Sequence, residues 1–224
     1  MGHLHPRPED LPESFPVFPL TGALLLPRGR LPLNIFEPRY LALIEEALAS
    51  GRMFGMIQPD PQAPPVAAGP ALYRIGCLGR LSSFSETEDG RYLITLTGVI
   101  RFAVAEEHPL QRGYRRVRAD FTGFAADLDA AAPLTGFDRP ALLASLRASF
   151  SRRGIEANWE AIDSMADDAL VTTLCMACPF EAAEKQALLE AATPADRAAT
   201  LATLLQIDIH ATGTDTAPAR SRAS

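Results

Sequence analysis

The sequence predicts an α+β chain that is mainly β in its first half and helical in its second. Three observations carry this. Apolar and polar residues alternate with period two over residues 71–81 and 91–104. Residues 15–36 are short apolar pieces broken by Pro16, Pro19, Pro27 and Pro32. After residue 126 the texture shifts to Ala, Leu and acidic residues at helical spacing.

Taken in order, residues 1–14 contain His3 and His5 and no apolar stretch, and are expected to be a flexible N-terminus. "LLLPRGRLPL" (24–33) reads as strand, turn, strand, because proline cannot donate to a ladder and is confined to edges, starts and turns. From Glu37 the period changes, with Tyr40, Leu43, Ile44, Ala47 and Leu48 at helical spacing, Pro38 at the first helical position and Gly51 just past the end. Phe36, Glu37, Pro38, Arg39 and Tyr40 form the structural junction into that helix. Glu37 lies near the positive end of the helix dipole, Arg39 is a local ion-pair partner for it, and Phe36 and Tyr40 are expected to pack on either side of the turn. "RMFGMIQP" (52–59) reads as a strand and the Pro- and Gly-rich residues 60–70 as a loop.

In the next strand, Tyr73, Ile75, Cys77, Gly79 and Leu81 share one face and Arg74 and Arg80 the other. After the Asp89-Gly90 turn, Tyr92, Ile94, Leu96, Ile100, Phe102 and Val104 face one way, and Thr95, Thr97 and Arg101 the other. Gly98 interrupts this strand and marks a bulge or bend. A further strand covers 114–121. Helices are expected at 140–150, 158–178 and 181–191, and at 193–209 with Thr193 as N-cap. Residues 213–224 have no apolar anchor and are expected to be disordered. The working division is 1–14, a β subdomain at 15–126, a helical subdomain at 127–212, and a tail at 213–224.

Charge excludes some functions. Net charge is -6; residues 1–126 carry 13 Arg and 13 acidic residues, and 127–224 carry 7 Arg, one Lys and 14 acidic residues. Neither half has the basic excess from which nucleic-acid binders draw most of their affinity. No apolar run approaches the roughly 20 residues of a membrane span, and no signal peptide is evident, so a cytoplasmic protein is expected.

Chemical motifs are few. Cys175 and Cys178 make a C-x-x-C, but at the end of an apolar helix, where the dipole raises a thiol pKa, so they read as buried packing residues. Cys77 and His108 are the only remaining partners worth naming for a zinc site, and their spacing fits no zinc module. Lys185, the only lysine, would have to be the base of a Ser-Lys hydrolase. Four residues after Glu181, it reads instead as an exposed helix ion pair. No G-x-x-x-x-G-K-[ST] occurs. No cofactor and no metal are expected.

"FPVFPLTGALLLPRGRLPLNIFEPRY" (15–40), "ALASGRMFGMI", "YRIGCLGRLSSFSETEDGRYLITLTGVIRFAV" and "EKQALLEAATPADRAATLATLL" resemble, in that order, the Lon N-terminal domain family, the substrate-binding domain of the ATP-dependent Lon protease. The resemblance covers about residues 15–209. It implies a PUA-like, strongly bent β-barrel with one inserted helix, followed by a helical bundle. It also implies a stand-alone member without ATPase and protease modules. The function expected is a non-catalytic protein-binding module for unfolded segments, degrons or a partner protein, with a protease or chaperone acting in trans. Contacts are expected at the barrel rim, on Arg28, Arg30, Leu31 and Pro32 and on Pro64, Pro65 and Val66, since exposed apolar surface marks interaction sites. The alternative is an RNA-binding PUA-like protein using strand 111–118, with Arg112, Arg115, Arg116 and Arg118 for phosphates and Tyr114 for stacking. A barrel holding a small ligand is a third reading.

Overall fold

The computed structural model describes residues 7–129, 134 and 136–210. The expectations for residues 1–6 and for the tail lie outside these. Six strands form one sheet: β1 (Ser14–Pro19), β2 (Arg30–Ile35), β3 (Met53–Ile57), β4 (Ile75–Glu86), β5 (Tyr92–Gln111) and β6 (Tyr114–Asp120). Their order is β2-β5-β4-β3-β1-β6, and β6 also pairs back onto β5. The pairings therefore close into a ring of five strands, with β2 attached outside it on the first part of β5. Only β1 and β3 run parallel. Pro16 is tolerated inside β1 because β3 pairs only with Val17–Pro19, so on that side Pro16 needs no donor.

The bend expected at Gly98 is present. The register between β4 and β5 slips between Leu78 and Gly79, opposite Ile100 and Gly98, leaving Val99 as the extra residue. Gly98 N–H donates to Gly29 O (2.8 Å), and Arg28 N–H donates to Gly98 O (2.8 Å), so the chain at Leu26–Arg28 lies directly on the glycine. A Cβ at Gly98 would overlap Leu26 O. The bend splits the strand between two cores. Ile94 and Leu96 belong to one with Leu24, Leu25, Leu26 and the helix α1 (Pro38–Ala49). Ile100 and Phe102 belong to another with Phe15, Val17 and Val117. The one-sided alternation expected over 91–104 therefore fails past Gly98, where both faces are covered. Arg101, assigned to the outer face, is 5% exposed.

The second half contains α2 (Arg139–Arg153), α3 (Trp159–Ser164), α4 (Asp167–Ala177), α5 (Ala182–Glu190) and α6 (Pro194–His210). Asp138 caps α2 through Ala141 N–H (2.9 Å), and Gly154 ends it in the left-handed conformation. Thr193 caps α6 as expected: its Oγ1 accepts from Asp196 N–H (3.1 Å), while Asp196 Oδ2 accepts from Thr193 N–H (3.1 Å). α6 packs on α2, α4 and α5. Leu142, Leu146, Leu170, Leu174, Leu188, Leu201 and Leu205 join the same core as Leu24–Leu26, so one apolar cluster runs from the sheet into the helices.

Four expectations are corrected. The helix expected over 158–178 is broken after Ser164, with Met165 and Ala166 extended, because Arg139 inserts there and donates to the carbonyls of Ile162, Asp163 and Met165. "LLLPRGRLPL" contributes only β2; Leu24–Leu26 are buried, but in a loop. Lys185 is 9% exposed, its Nζ donating to Gly22 O (2.7 Å), so it holds a loop instead of decorating a surface. Phe36 is 62% exposed, so only Tyr40 packs inward from the junction, edge-on to Phe18 at 4.1 Å.

Candidate functional site

The sequence-expected residues Arg28, Arg30, Leu31 and Pro32 lie on one wall of a groove of about 460 Å³ whose other wall is α4. The wall begins with a tight turn in which Gly29 N–H donates to Leu26 O (2.9 Å) and Arg28 takes φ 66°. That strained value persists because both backbone bonds to Gly98 fix it. Arg28 also donates through Nη1 to the carbonyls of Asp127 (3.2 Å) and Asp129 (3.0 Å).

Helical periodicity makes the other wall. Asp168, Ala169, Thr172, Thr173, Met176 and Ala177 line the groove, while Leu170, Val171, Leu174 and Cys175 on the opposite face are buried. Ala169, Thr172, Thr173 and Ala177 are small and leave the space between the walls open, and Met176 supplies a conformable thioether. A Cβ at Gly29 would meet the Met176 sulfur, which would have to shift, and would press on Leu26 O. The rim carries cations on the turn side and Asp168 on the helix side, so the groove offers apolar floor, main chain and both signs of charge.

β2 forms the outer margin. The bond from Gly98 N–H to Gly29 O sets the ladder phase, so Leu31, Leu33 and Ile35 direct their main chain to β5. Arg30, Pro32 and Asn34 then direct theirs to the sheet edge, where Pro32 has no N–H to offer.

Pro64, Pro65 and Val66 line no part of this groove. They are exposed on the loop after β3, which is closed by reciprocal bonds between Val66 and Gly69 (2.8 and 2.9 Å) and tied down by Arg115 Nη1 to Pro70 O (2.5 Å). The two expected contact segments thus sit by different stretches of β5, one beside its start and one by the β5–β6 hairpin. At the junction, Glu37 is the N-cap residue of α1, and its carboxylate pairs with Arg39 Nη2 (2.8 Å).

The basic strand is neutralised. Arg112 pairs with Glu45 (2.8 Å), Arg115 with Glu107 (2.5 Å), Arg116 with Glu46, and Arg118 with Glu106 (3.3 Å). Tyr114 is 1% exposed and bonds to Glu46, so it offers no ring for stacking.

Cys77, Cys175 and Cys178 are free and buried. Burial pushes the thiols of Cys175 and Cys178 up to about 12. Among the described residues, no group of three or more His, Cys, Asp or Glu is placed to hold a metal ion. The fold brings together one pair that sequence proximity could not reveal: Ser14 Oγ and His108 Nε2, 94 residues apart, at 3.0 Å. No carboxylate is bonded to the other ring nitrogen among the described residues, so the orienting third group of a nucleophilic triad is missing there. No helix among the described residues is long and apolar enough to cross a membrane.

The strand-rich first half, the helical second half and the groove between β2 and α4 define an α+β domain with a groove where its two halves meet. The chain belongs to the ATP-dependent protease La (LON) substrate-binding domain family, whose model matches residues 14–206. Among curated proteins it is 26% identical over 98 residues to Lon protease 2 of Myxococcus xanthus, covering 44% of this chain and 12% of that one. It is 30% identical over 112 residues to Lon protease 2 of Sorangium cellulosum, covering 48% and 13%. The match therefore spans only a small part of those proteins. Two solved structures share the fold. A Lon N-terminal domain protein from Xanthomonas campestris has a TM-score of 0.56 at 21% identity, covering 85% of this chain and 97% of that one. The N-terminal domain of Mycobacterium avium complex Lon protease has a TM-score of 0.57 at 18% identity, covering 86% and 98%.

Proposed function

We propose that this chain is a non-catalytic recognition module that binds an extended segment of another polypeptide in the groove between the Arg28–Pro32 turn and α4. The observation that carries the reading is the groove itself, about 460 Å³ with a largely apolar lining and charged side chains of both signs. An unfolded segment presents main-chain polar groups and assorted side chains, and such a lining accepts many of them without selecting one sequence. Pro64, Pro65 and Val66 form a second contact surface in this reading, with Val66 48% exposed. The family supports the same reading, being one of substrate-binding domains. A protease or chaperone acting in trans is the natural recipient of what is bound.

The test is a fluorescence titration with permanently unfolded model proteins. Saturable binding at or below tens of micromolar is expected. It should weaken about tenfold or more in Ala177→Arg and Thr173→Arg, which fill the groove from exposed helix positions; a factor of ten corresponds to about 1.4 kcal/mol. Ile207→Arg, at an exposed site on α6, should leave it unchanged. Absence of saturable binding by the wild type overturns the reading, as does equal binding by the groove variants.

A further inference from the structure

A second cavity, of about 200 Å³, lies between the first turn of α1, the β5–β6 turn and the loop ending at Pro70. At several times the roughly 30 Å³ share of one water it has room for a single residue, and it falls below the roughly 300 Å³ at which drug- and cofactor-sized pockets begin. Its apolar walls include Pro19, Pro59 and Leu72.

Tyr40 lines this cavity and is 6% exposed, its ring held edge-on by Phe18 and covered by the Arg39 guanidinium 4.5 Å from the centroid. Its hydroxyl makes no hydrogen bond with any described residue, whereas the hydroxyl of Tyr114, in the same lining, is bound to Glu46. Arg39, also in the lining, uses Nε (3.0 Å) and Nη2 (2.8 Å) on Glu37 and leaves Nη1 without a partner among the described residues. Arg115 forms a further wall, 6% exposed, its guanidinium already paired with Glu107 and bonded to Pro70 O. Burial raises the Tyr40 phenol pKa, so the group stays protonated and can donate.

Tyr40 Oη and Arg39 Nη1 can both donate to an added acceptor, and a carboxylate, with two oxygens, can take both. The lining contains no Asp or Glu, so a free amino acid would leave its ammonium group unpaired. A polypeptide C-terminus has no such group, because its last amine is an amide. We propose that this cavity takes the C-terminal residue of a bound polypeptide. Its free carboxylate accepts from Tyr40 Oη and Arg39 Nη1, and its side chain lies against Pro19, Pro59 and Leu72. The inference rests on the reading of the chain as a polypeptide binder and is independent of the α4 groove.

Fluorescence anisotropy tests it, using a short labelled Ala-Leu-Ser peptide ending in leucine, as the free acid and as the C-terminal amide. The free acid should bind about tenfold or more tightly than the amide, the effect of losing one charge-assisted hydrogen bond. Tyr40→Phe, which keeps the ring on Phe18 and should keep the melting temperature, and Arg39→Gln should each remove most of that difference. Ala177→Arg should preserve it. Equal affinity for acid and amide, or a difference that survives in the double variant, overturns the proposal while leaving the general reading intact. Binding of neither form overturns this proposal, while the α4-groove reading stands or falls on the titration with unfolded proteins. Free leucine competing as well as the peptide overturns the polypeptide source.

Discussion

Arg101 and Asp127 meet side by side in a buried bidentate pair, Nε to Oδ2 and Nη2 to Oδ1 both at 2.9 Å, with side-chain exposures of 5% and 10%. The carboxylate also accepts from the Arg101 backbone N–H (3.0 Å). The remaining arginine nitrogen donates to the carbonyls of Leu189 (3.1 Å) and Ala191 (2.6 Å) at the end of α5. One side chain thus satisfies the last carbonyls of a helix and fastens that helix to β5.

Breaking that pair from one side should be costly. Arg101→Met leaves Asp127 buried and unpaired, a loss of about 3–5 kcal/mol, read as a shift of the urea midpoint. Arg101→Met with Asp127→Leu should recover part of it, since removing both charges leaves no orphan. A double variant no more stable than the single one would show that the carbonyl bonds dominate.

Asp208 gives a pH dependence. Hydrogen bonds from Arg153 lead the causes that, with Ser149 and Arg152, hold its carboxyl at about 2. The unfolded value is about 3.9, so the folded state is favoured above that value and loses the advantage as pH falls from about 5 towards 2. The contribution is on the order of 2 kcal/mol, reduced by the solvent around the two arginines. Asp208→Asn should therefore flatten the acid limb of the stability–pH curve. An unchanged limb refutes the assignment.

The cysteines should be silent towards thiol reagents. With burial holding Cys175 and Cys178 at about 12, and Cys77 also shifted upward by burial, little thiolate exists at pH 8. Ellman's reagent should read close to zero thiols in the native protein and all three in denaturant. Prompt reaction of one native thiol contradicts the packing role.

Gly98→Ala should destabilise more than an ordinary core substitution, because its Cβ would meet Leu26 backbone, which no rotamer change can move. The expected cost is at least about 1–3 kcal/mol, measured by thermal melting. Gly123→Ala, where a Cβ meets nothing within 4 Å, is the control and should stay close to wild type.

Local signals made the strands other than the one expected at 24–26, α1, the Gly98 bend and the Thr193 cap legible, because each depends on neighbours within a few residues. The errors arose where a distant group decided the outcome. Lys185 is drawn inward by the carbonyl of Gly22, 163 residues away, and Arg101 by Asp127 and the end of α5. The break after Ser164 depends on Arg139 reaching across from α2. For the site, the Arg28–Pro32 turn could be read as a rim, but its opposite wall could not. The polar positions on α4 look like an ordinary solvated face until the fold sets them against Gly29. Nor could sequence show which donors near the Glu37–Tyr40 junction remain unused, since that depends on every partner they fail to meet.

Pro32, in the middle of β2, settles how the edge behaves toward extended chains. A strand approaching β2 would meet a ring where it needs a donor, and one of its own carbonyls would go dry. The exposed edge of β2 is thereby a poor template for the strand-upon-strand growth that seeds aggregation.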